Sequence, residues 1–380
     1  MTSPPTTDTT GAETGPGAHR VRVSARPRPP GPLRKDPRPL TLWRVMRKSG
    51  VTAVTLALLP ALLAGCGTSR ARVPGAAGNT GPEKTALVVA AVPAESASGL
   101  YIAQAQGLFT RQGLHVTIEN IASPALAMPD LLRGDVDIIS GQWTTFFAAQ
   151  SHGAGRFRAL ASGLALGPGV EAIVVPPGSP IQTVRQLKGA TIAVNTIKGI
   201  DQMFSDAMLT AYGLTPADVH YVAIPFPRMG AALAAGQVDA GYLTEPYLTQ
   251  SEEKYGDQVI GDPDAGVETN LPIAGYTATT QWVQRHPRTA AAFARAINQA
   301  NQIASTDPGL WRKIMASALG LPAVVAGIMA SGTYPATLDP RQLQRLAALM
   351  RTYSLLDKPF NVTAMLRGAR PPGPDIFGTH

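Results

Sequence analysis

The chain has 380 residues, a formal net charge of +8 and a pI of 9.7, which is length enough for two ordinary domains. The charge is not spread evenly: residues 1–65 carry 10 Lys and Arg against 3 Asp and Glu, whereas residues 66–380 carry 23 against 22. With the excess confined to the leader, and no basic stripe with interleaved aromatics in the remainder, the sequence argues against a nucleic-acid partner.

Residues 1–45 are rich in Pro, Thr, Gly and Arg and have no apolar periodicity. Such a segment cannot bury enough surface to offset ordering entropy, so it reads as a disordered leader or as the product of a misassigned start ahead of Met46. Residues 46–65 have the layout of a secretory signal: Arg47 and Lys48, an apolar run from Val51 to Ala64, then small residues. At about 1.5 Å per residue that run reaches about 21 Å, short of the ~30 Å hydrocarbon layer, so it targets rather than spans. The chain's one cysteine, Cys66, ends the segment within Leu-Ala-Gly-Cys and is the expected lipidation site. A single cysteine also excludes a disulfide framework. Residues 66–84 form the anchor and a flexible linker, a coil with a reach of about 20–25 Å.

From Thr85 the pattern becomes that of a folded α/β body. "ALVVAAV" is a buried-type strand, "SGLYIAQAQGLFTRQG" a helix, "LHVTIENI" an alternating strand, "SPALAMPDLLRG" a helix capped by Ser123 and ended by Gly134, and "DVDIIS" a third strand. The order βαβαβ then recurs. "ATIAVN" is a strand, "GIDQMFSDAMLTAYG" a helix, "DVHYVAI" a strand, "PFPRMGAALAAG" a helix ending at Gly236, and "QVDAGYL" a strand. The corner Gly134-Asp-Val-Asp returns as Gly236-Gln-Val-Asp, 102 positions on, because each unit ends its second helix on a left-handed Gly before a buried strand. The fold class is therefore α/β, with two similar doubly wound lobes.

Between the units, "PGVEAIVVPPGSPIQTVRQLKG" reads as a strand-like segment, a turn and a helical entry. "LPIAGYTATT" runs back as an extended segment, and from Gln281 the chain is helical. Those helices are expected on lobe one, which makes that lobe discontinuous: residues 85–177 plus 269–366, with lobe two at 178–268 and a tail at 367–380. Two crossings between two lobes make a hinge.

Several stretches resemble the periplasmic-type solute-binding proteins of ABC importers, in the nitrate/sulfonate/taurine and thiamine-precursor-like group. "GLYIAQAQGLFTRQGLHVTIE" is similar to that group's opening segment, with a Gly-aromatic helix end before an "EGLDVE"-like turn. "IQTVRQLKGATIAVN" resembles its "TVKDLKGKKIAV" entry, "AALAAGQVDAGYLTEPY" its "ALxxGxVDAxxxxEP" corner, and "WVQRHPRTAAAFARA" its "HPExVxAFxRA" helix. The resemblance covers about residues 85–366. It implies a periplasmic-binding-protein fold of type II and a lipid-anchored receptor on the extracytoplasmic face of the cell membrane. That receptor would deliver a small organic solute to permease subunits driven by an ATPase on the inner side, with no cofactor and no metal.

Ligands of doubly wound sheets sit beyond the carboxyl ends of the strands. In lobe one these ends are Pro93–Gly99, Ala122–Pro124 and Ser140–Trp143; in lobe two they are Asn195–Gly199, Pro225–Arg228 and Leu243–Tyr247. The candidate contacts in lobe one are Glu95, Ser96, Tyr101, Ser123, Gln142 and Trp143. In lobe two they are Asn195, Gly199, Phe226 and Glu245, and Tyr276 closes the hinge floor. Ser123 has an alternative as a helix cap, Lys198 as a solvated loop cation, Trp143 and Phe226 as core, and Glu245 as a structural acceptor. Glu95 and Glu245 beside aromatics favour a neutral or amine-bearing organic, including a flat heterocycle, over a bare anion.

Catalysis is the competing class. The related pyrimidine-precursor enzymes use a cysteine-rich motif, which one Cys cannot supply, and no Gly-x-Ser-x-Gly elbow occurs. The six His residues (19, 115, 152, 220, 286 and 380) lack metal-ligand spacing. A receptor that reports solute occupancy to a signalling partner shares every cleft feature with the transport reading.

Overall fold

The computed structural model describes residues 81–263 and 270–366. The signal segment, Cys66 and the tail expected at 367–380 lie outside the described residues. Among the described residues, ten strands form two five-stranded mixed sheets. The first is built from β1 (Ala86–Ala91), β2 (His115–Asn120), β3 (Ile138–Gln142), β4 (Phe157–Ser162) and β10 (Ala274–Thr279), in the order β2-β1-β3-β10-β4. The second contains β5 (Glu171–Val175), β6 (Thr191–Val194), β7 (His220–Ala223), β8 (Ala240–Thr244) and β9 (Gln258–Gly261), in the order β7-β6-β8-β5-β9. The duplicated βαβαβ pattern thus appears as two sheets with the same topology. In each, the three strands of the unit pair in parallel, and an antiparallel strand separates them from the fifth.

That antiparallel strand comes from a crossing in both lobes: β10 returns to sheet one from lobe two, and β5 enters sheet two from lobe one. The expected boundary after residue 177 is corrected here. β5 pairs with β8 and β9, so the first crossing is at residues 163–170 and the strand "EAIVV" belongs to lobe two. Its continuous apolar run identifies a buried strand, but which sheet buries it is decided by tertiary pairing.

Gly134 and Gly236 do close their helices in the left-handed region, at φ +87° and +64°, as the repeated corner requires. Ser123 occupies the cap position of the helix Pro124–Arg133, yet its side chain makes no capping bond. The first helix is shorter than its sequence suggests: Ser98–Ala105 ends before Gly107, at φ +64°, and one further turn, Leu108–Arg111, follows.

Of the C-terminal helices, Pro287–Thr306 and Pro308–Leu319 pack on Ser98–Ala105, and Pro340–Thr352 packs on Trp143–Ser151, all in lobe one as expected. The short helix Ala323–Ile328 departs from this and meets Tyr247–Tyr255 of lobe two. The chain enters the body at a clamp: Glu83 accepts from the backbone N–H groups of Arg288 and Thr289, at 3.1 and 2.9 Å. Lys84 Nζ donates to Asp137 at 2.6 Å. The free N–H groups that open a helix give Glu83 its partners and hold its carboxyl down at about 2, against the opposing effect of burial.

Trp143 is fully buried and stacks on Phe147 at 6.2 Å, beneath β10. A methyl group on Gly275 would lie 1.9 Å from Trp143 Cζ2, so only glycine lets the strand pass over the indole. Gly275→Ala is expected to lower stability by about 1–3 kcal/mol in urea unfolding, and Trp143→Phe in that background to recover part of the loss.

Candidate functional site

The carboxyl ends of the parallel strands of both lobes face one cleft. Four of the expected contacts line it: Ser96 and Gln142 from lobe one, Asn195 and Phe226 from lobe two. Asn195 follows β6 and reaches across, its Nδ2 donating to Ala122 O at 3.3 Å. Phe226 opens the helix Phe226–Ala234 and stacks on Tyr247, with ring centroids 5.9 Å apart and planes 16° apart. Gln142 ends β3, and its Nε2 donates to Asp201 Oδ1 of lobe two at 3.4 Å. Its Oε1 is buried and has no donor.

The other expected contacts are not among the cleft-lining residues. Trp143 points into the lobe-one core rather than offering a stacking face, because the strand-to-helix step at residues 142–143 turns consecutive side chains in different directions. Tyr276 is fully buried on β10, edge-on to Phe293 at 5.6 Å. Tyr101 is buried on its helix and Ser123 sits at a helix start. Gly199 caps Ile200–Ala211, where a Cβ would meet Thr196 O at 2.7 Å.

Glu95 is fully buried and turned away from the cleft, its Oε1 accepting from Tyr334 Oη and from Gly332 N, both at 2.6 Å. Glu245 has the structural role that its alternative reading assigns. Its Oε1 accepts from Thr249 Oγ1 at 2.7 Å and from Ala330 N at 3.1 Å. Glu95 and Glu245 therefore fasten the segment 330–334 to both lobes, and Glu95 N donates to Glu245 O between them at 3.1 Å.

A different carboxylate lines the cleft. Glu171 opens β5 directly opposite Thr244, is only 3 % exposed, and accepts from Tyr242 Oη at 2.6 Å. Burial pushes its carboxyl up to about 8 against the Tyr242 hydrogen bond, with the Asp201 charge adding to the rise. Asp201, behind Gln142, is likewise raised by burial, although Thr196 N donates to it at 3.0 Å. The sequence did carry a signal for Glu171: one acidic residue at the head of an apolar strand, immediately after a crossing. Among the described residues none of those lining the cleft is Lys, Arg or His, and no cluster of three His, Cys, Asp or Glu side chains could hold a metal ion.

Two mixed α/β sheets, joined by two crossings and facing each other over a cleft, define the two-lobed solute-binding architecture of periplasmic-binding type II. The chain belongs to the NMT1/THI5-like family, whose model matches residues 95–309. A putative aliphatic sulfonates-binding protein of Escherichia coli is 24 % identical over 188 residues, 50 % of this chain and 58 % of that protein. The chain thus spans little more than half the length of that relative. The taurine-binding periplasmic protein of the same organism is 28 % identical over 65 % of this chain and 77 % of its own. The alkanesulfonate-binding protein of Xanthomonas axonopodis pv. citri, solved with MOPS, superposes with a TM-score of 0.65 at 22 % identity, over 75 % of this chain and 98 % of that one. A desulfurization enzyme shares the fold at a TM-score of 0.56 and 18 % identity, over 75 % of this chain and 96 % of its own.

The buried carboxyls set a pH dependence. Burial raises Glu95 to about 8 and Glu245 to about 7, from an ordinary 4.5, with Tyr334 and Thr249 opposing. A raised carboxyl binds its proton more tightly in the folded state, so its stabilisation is complete below about 4.5 and lost as pH rises towards 7–8. Glu171 acts in the same direction, each group contributing up to about 1.4 kcal/mol per pH unit. Urea midpoints are expected to fall between pH 5 and 8.5, and Glu95→Gln with Glu245→Gln to flatten that slope.

Proposed function

We propose that the chain is an extracytoplasmic, lipid-anchored solute receptor of an ABC importer, which binds a small organic molecule between its lobes and hands it to a permease. The observation that carries this reading is the cleft itself. Both lobes contribute strand-end residues to it, and among the described residues the chain passes between the sheets at two crossings, so closure and capture would be one motion. About 380 Å³ of space, open solvent included, lies along the cleft. Parting of the lobes is the motion that would admit a small organic solute to it.

The relatives named for taurine and sulfonates support the receptor role. Among the described residues the lining offers the hydroxyls of Ser96 and Thr244, the amides of Gln142 and Asn195 and the Glu171 carboxyl as polar partners for a solute. Attachment through Cys66 rests on the signal-like segment before it and the linker after it. The body's entry clamp at Glu83 and Lys84 precedes β1 and so lies at the pole opposite the cleft, which leaves the lobes free to meet a permease.

Solution scattering at saturating solute is expected to give a smaller radius of gyration than without solute; an unchanged radius counts against closure. In cells, Cys66→Ser is expected to abolish acyl labelling and to leave the signal segment uncleaved by lipoprotein signal peptidase. Normal acylation of that variant would end the anchor assignment.

A further inference from the structure

We propose that the cleft selects an organic nitrogen cation, an amine or amidine whose N–H groups are taken up by the Glu171 carboxylate and Gln142 Oε1, and that it rejects anions of the sulfonate type. The inference rests on the receptor reading above and deepens it by naming the ligand class. Its first support is the polarity of the lining. Glu171 is a buried carboxylate on the lobe-two wall, and Gln142 on the lobe-one wall presents a buried oxygen without a donor. The orientation of that amide is set by Asp201, which as an acceptor draws the Nε2 side and leaves Oε1 without a donor. Two acceptors on opposing walls call for a ligand with donors on two sides, and an unmatched buried acceptor weakens any ligand that lacks them.

The second support is independent and concerns the places where an anion would bind. Helix starts beyond the strand ends normally offer free N–H groups and a positive dipole end. Here several of those groups are removed or already taken. Pro124 occupies the first position of Pro124–Arg133 and has no N–H, and Pro227 is the second residue of Phe226–Ala234. Asp201 puts a carboxylate into the first turn of Ile200–Ala211 and accepts from Thr196 N. The N–H of Trp143, which opens the next helix, donates to Ile273 O, and that of Thr249 donates to Glu245. With no Lys, Arg or His among the described lining residues, a sulfonate would meet no positive charge in the cleft.

A cation changes the state of Glu171. Burial pushes that carboxyl up to about 8, with Tyr242, Asp201, Asp262 and Glu95 as the facing titratable groups. Pairing with an ammonium or amidinium favours the carboxylate, so binding sends the Glu171 proton to solvent and leaves a charge-assisted N–H···O contact in its place. The proton balance is one released per cation bound wherever Glu171 begins protonated.

The test uses two matched series on the folded protein: ethylamine through benzamidine, and ethanesulfonate through benzenesulfonate. Thermal shift is read first, then calorimetry at pH 7 in phosphate and in Tris. The expected result is a stabilising amine or amidine whose binding heat differs between the buffers by the heat of one released proton. Glu171→Gln, which keeps the acceptor shape towards Tyr242, is expected to weaken that ligand at least tenfold and remove the proton release. Gln142→Ala serves as a second variant, with a similar loss of affinity and the proton release retained. A sulfonate that binds with affinity unchanged or improved in Glu171→Gln overturns the ligand class and leaves the receptor reading standing. No binding by either series, in protein that unfolds cooperatively, overturns the ligand class and the cleft as the receptor's site together.

Discussion

The pairing of the two crossings at the floor of the cleft is the constraint on which the rest depends. Leu166 N donates to Leu271 O at 2.9 Å, Ile273 N to Leu164 O at 2.8 Å, and Ala165 exchanges bonds in both directions with Thr333. This small antiparallel ribbon has a topological consequence. A chain that leaves one lobe beside the chain returning to it must enter each sheet antiparallel to the strands already there. β5 and β10 therefore occupy equivalent places in the two sheets and hold the carboxyl ends of both parallel sets towards each other. The third member, around Thr333, makes the hinge more than two covalent links. The segment 330–334 joins lobe one through Glu95 and lobe two through Glu245, so bending the hinge acts on three chain segments rather than two.

Buried carboxylates at such a junction are expensive in isolation, and the surrounding donors explain why they persist. Glu95 receives a backbone N–H and a tyrosine hydroxyl, and Tyr334 is itself tied to Ser98, whose hydroxyl also accepts from the Trp311 indole at 3.0 Å. Glu245 receives two groups of Thr249 and the N–H of Ala330. None of these donors is a cation, so what stabilises the sites is hydrogen bonding to largely neutral acids rather than ion pairing. Glu171 is built in the same way from Tyr242, with one difference: it stands on the wall of the cleft, where a ligand can supply the missing positive charge.

The sequence disclosed topology better than it disclosed side-chain direction. The repeated βαβαβ units were legible because hydrophobic periodicity and the glycines at 134 and 236 report local geometry. β4 gave no such signal, since "FRALAS" places an Arg inside a short strand, and the helix Trp143–Ser151 hides in a run without clear amphipathic contrast. The candidate site was half legible. Strand ends predicted a cleft, and Ser96, Gln142, Asn195 and Phe226 of the expected contacts line it. Which way neighbouring residues point depends on where a strand stops and a helix starts, and a one-residue uncertainty there exchanges wall for core. Trp143 went to the core by that margin, and Gln142 to the wall. Glu171 escaped because its strand read as part of lobe one, away from any cleft.

The geometry of closure also bears on how tightly such a cleft can hold a ligand. Asn195 to Ala122, Gln142 to Asp201, Tyr247 to Pro93 and Glu95 to Glu245 are bonds between lobes, at 3.3, 3.4, 2.9 and 3.1 Å. At a net worth of about 0.5–1.5 kcal/mol each, these bonds together favour the closed arrangement by about 2–6 kcal/mol, before the strain and solvation terms that favour opening. Any part of that preference left uncompensated lowers apparent affinity by the fraction of molecules open to receive a solute. The Glu95 and Tyr247 bonds lie at the hinge side and can survive binding. The Gln142–Asp201 and Asn195–Ala122 contacts differ from these, since one partner of each lines the cleft itself, and the former is the longest of the four. A ligand that engages Gln142 Oε1 need not break that contact, because the amide's other face makes it. The residue can then hold the lobes together and read the ligand at once, which couples recognition to closure without a separate moving part.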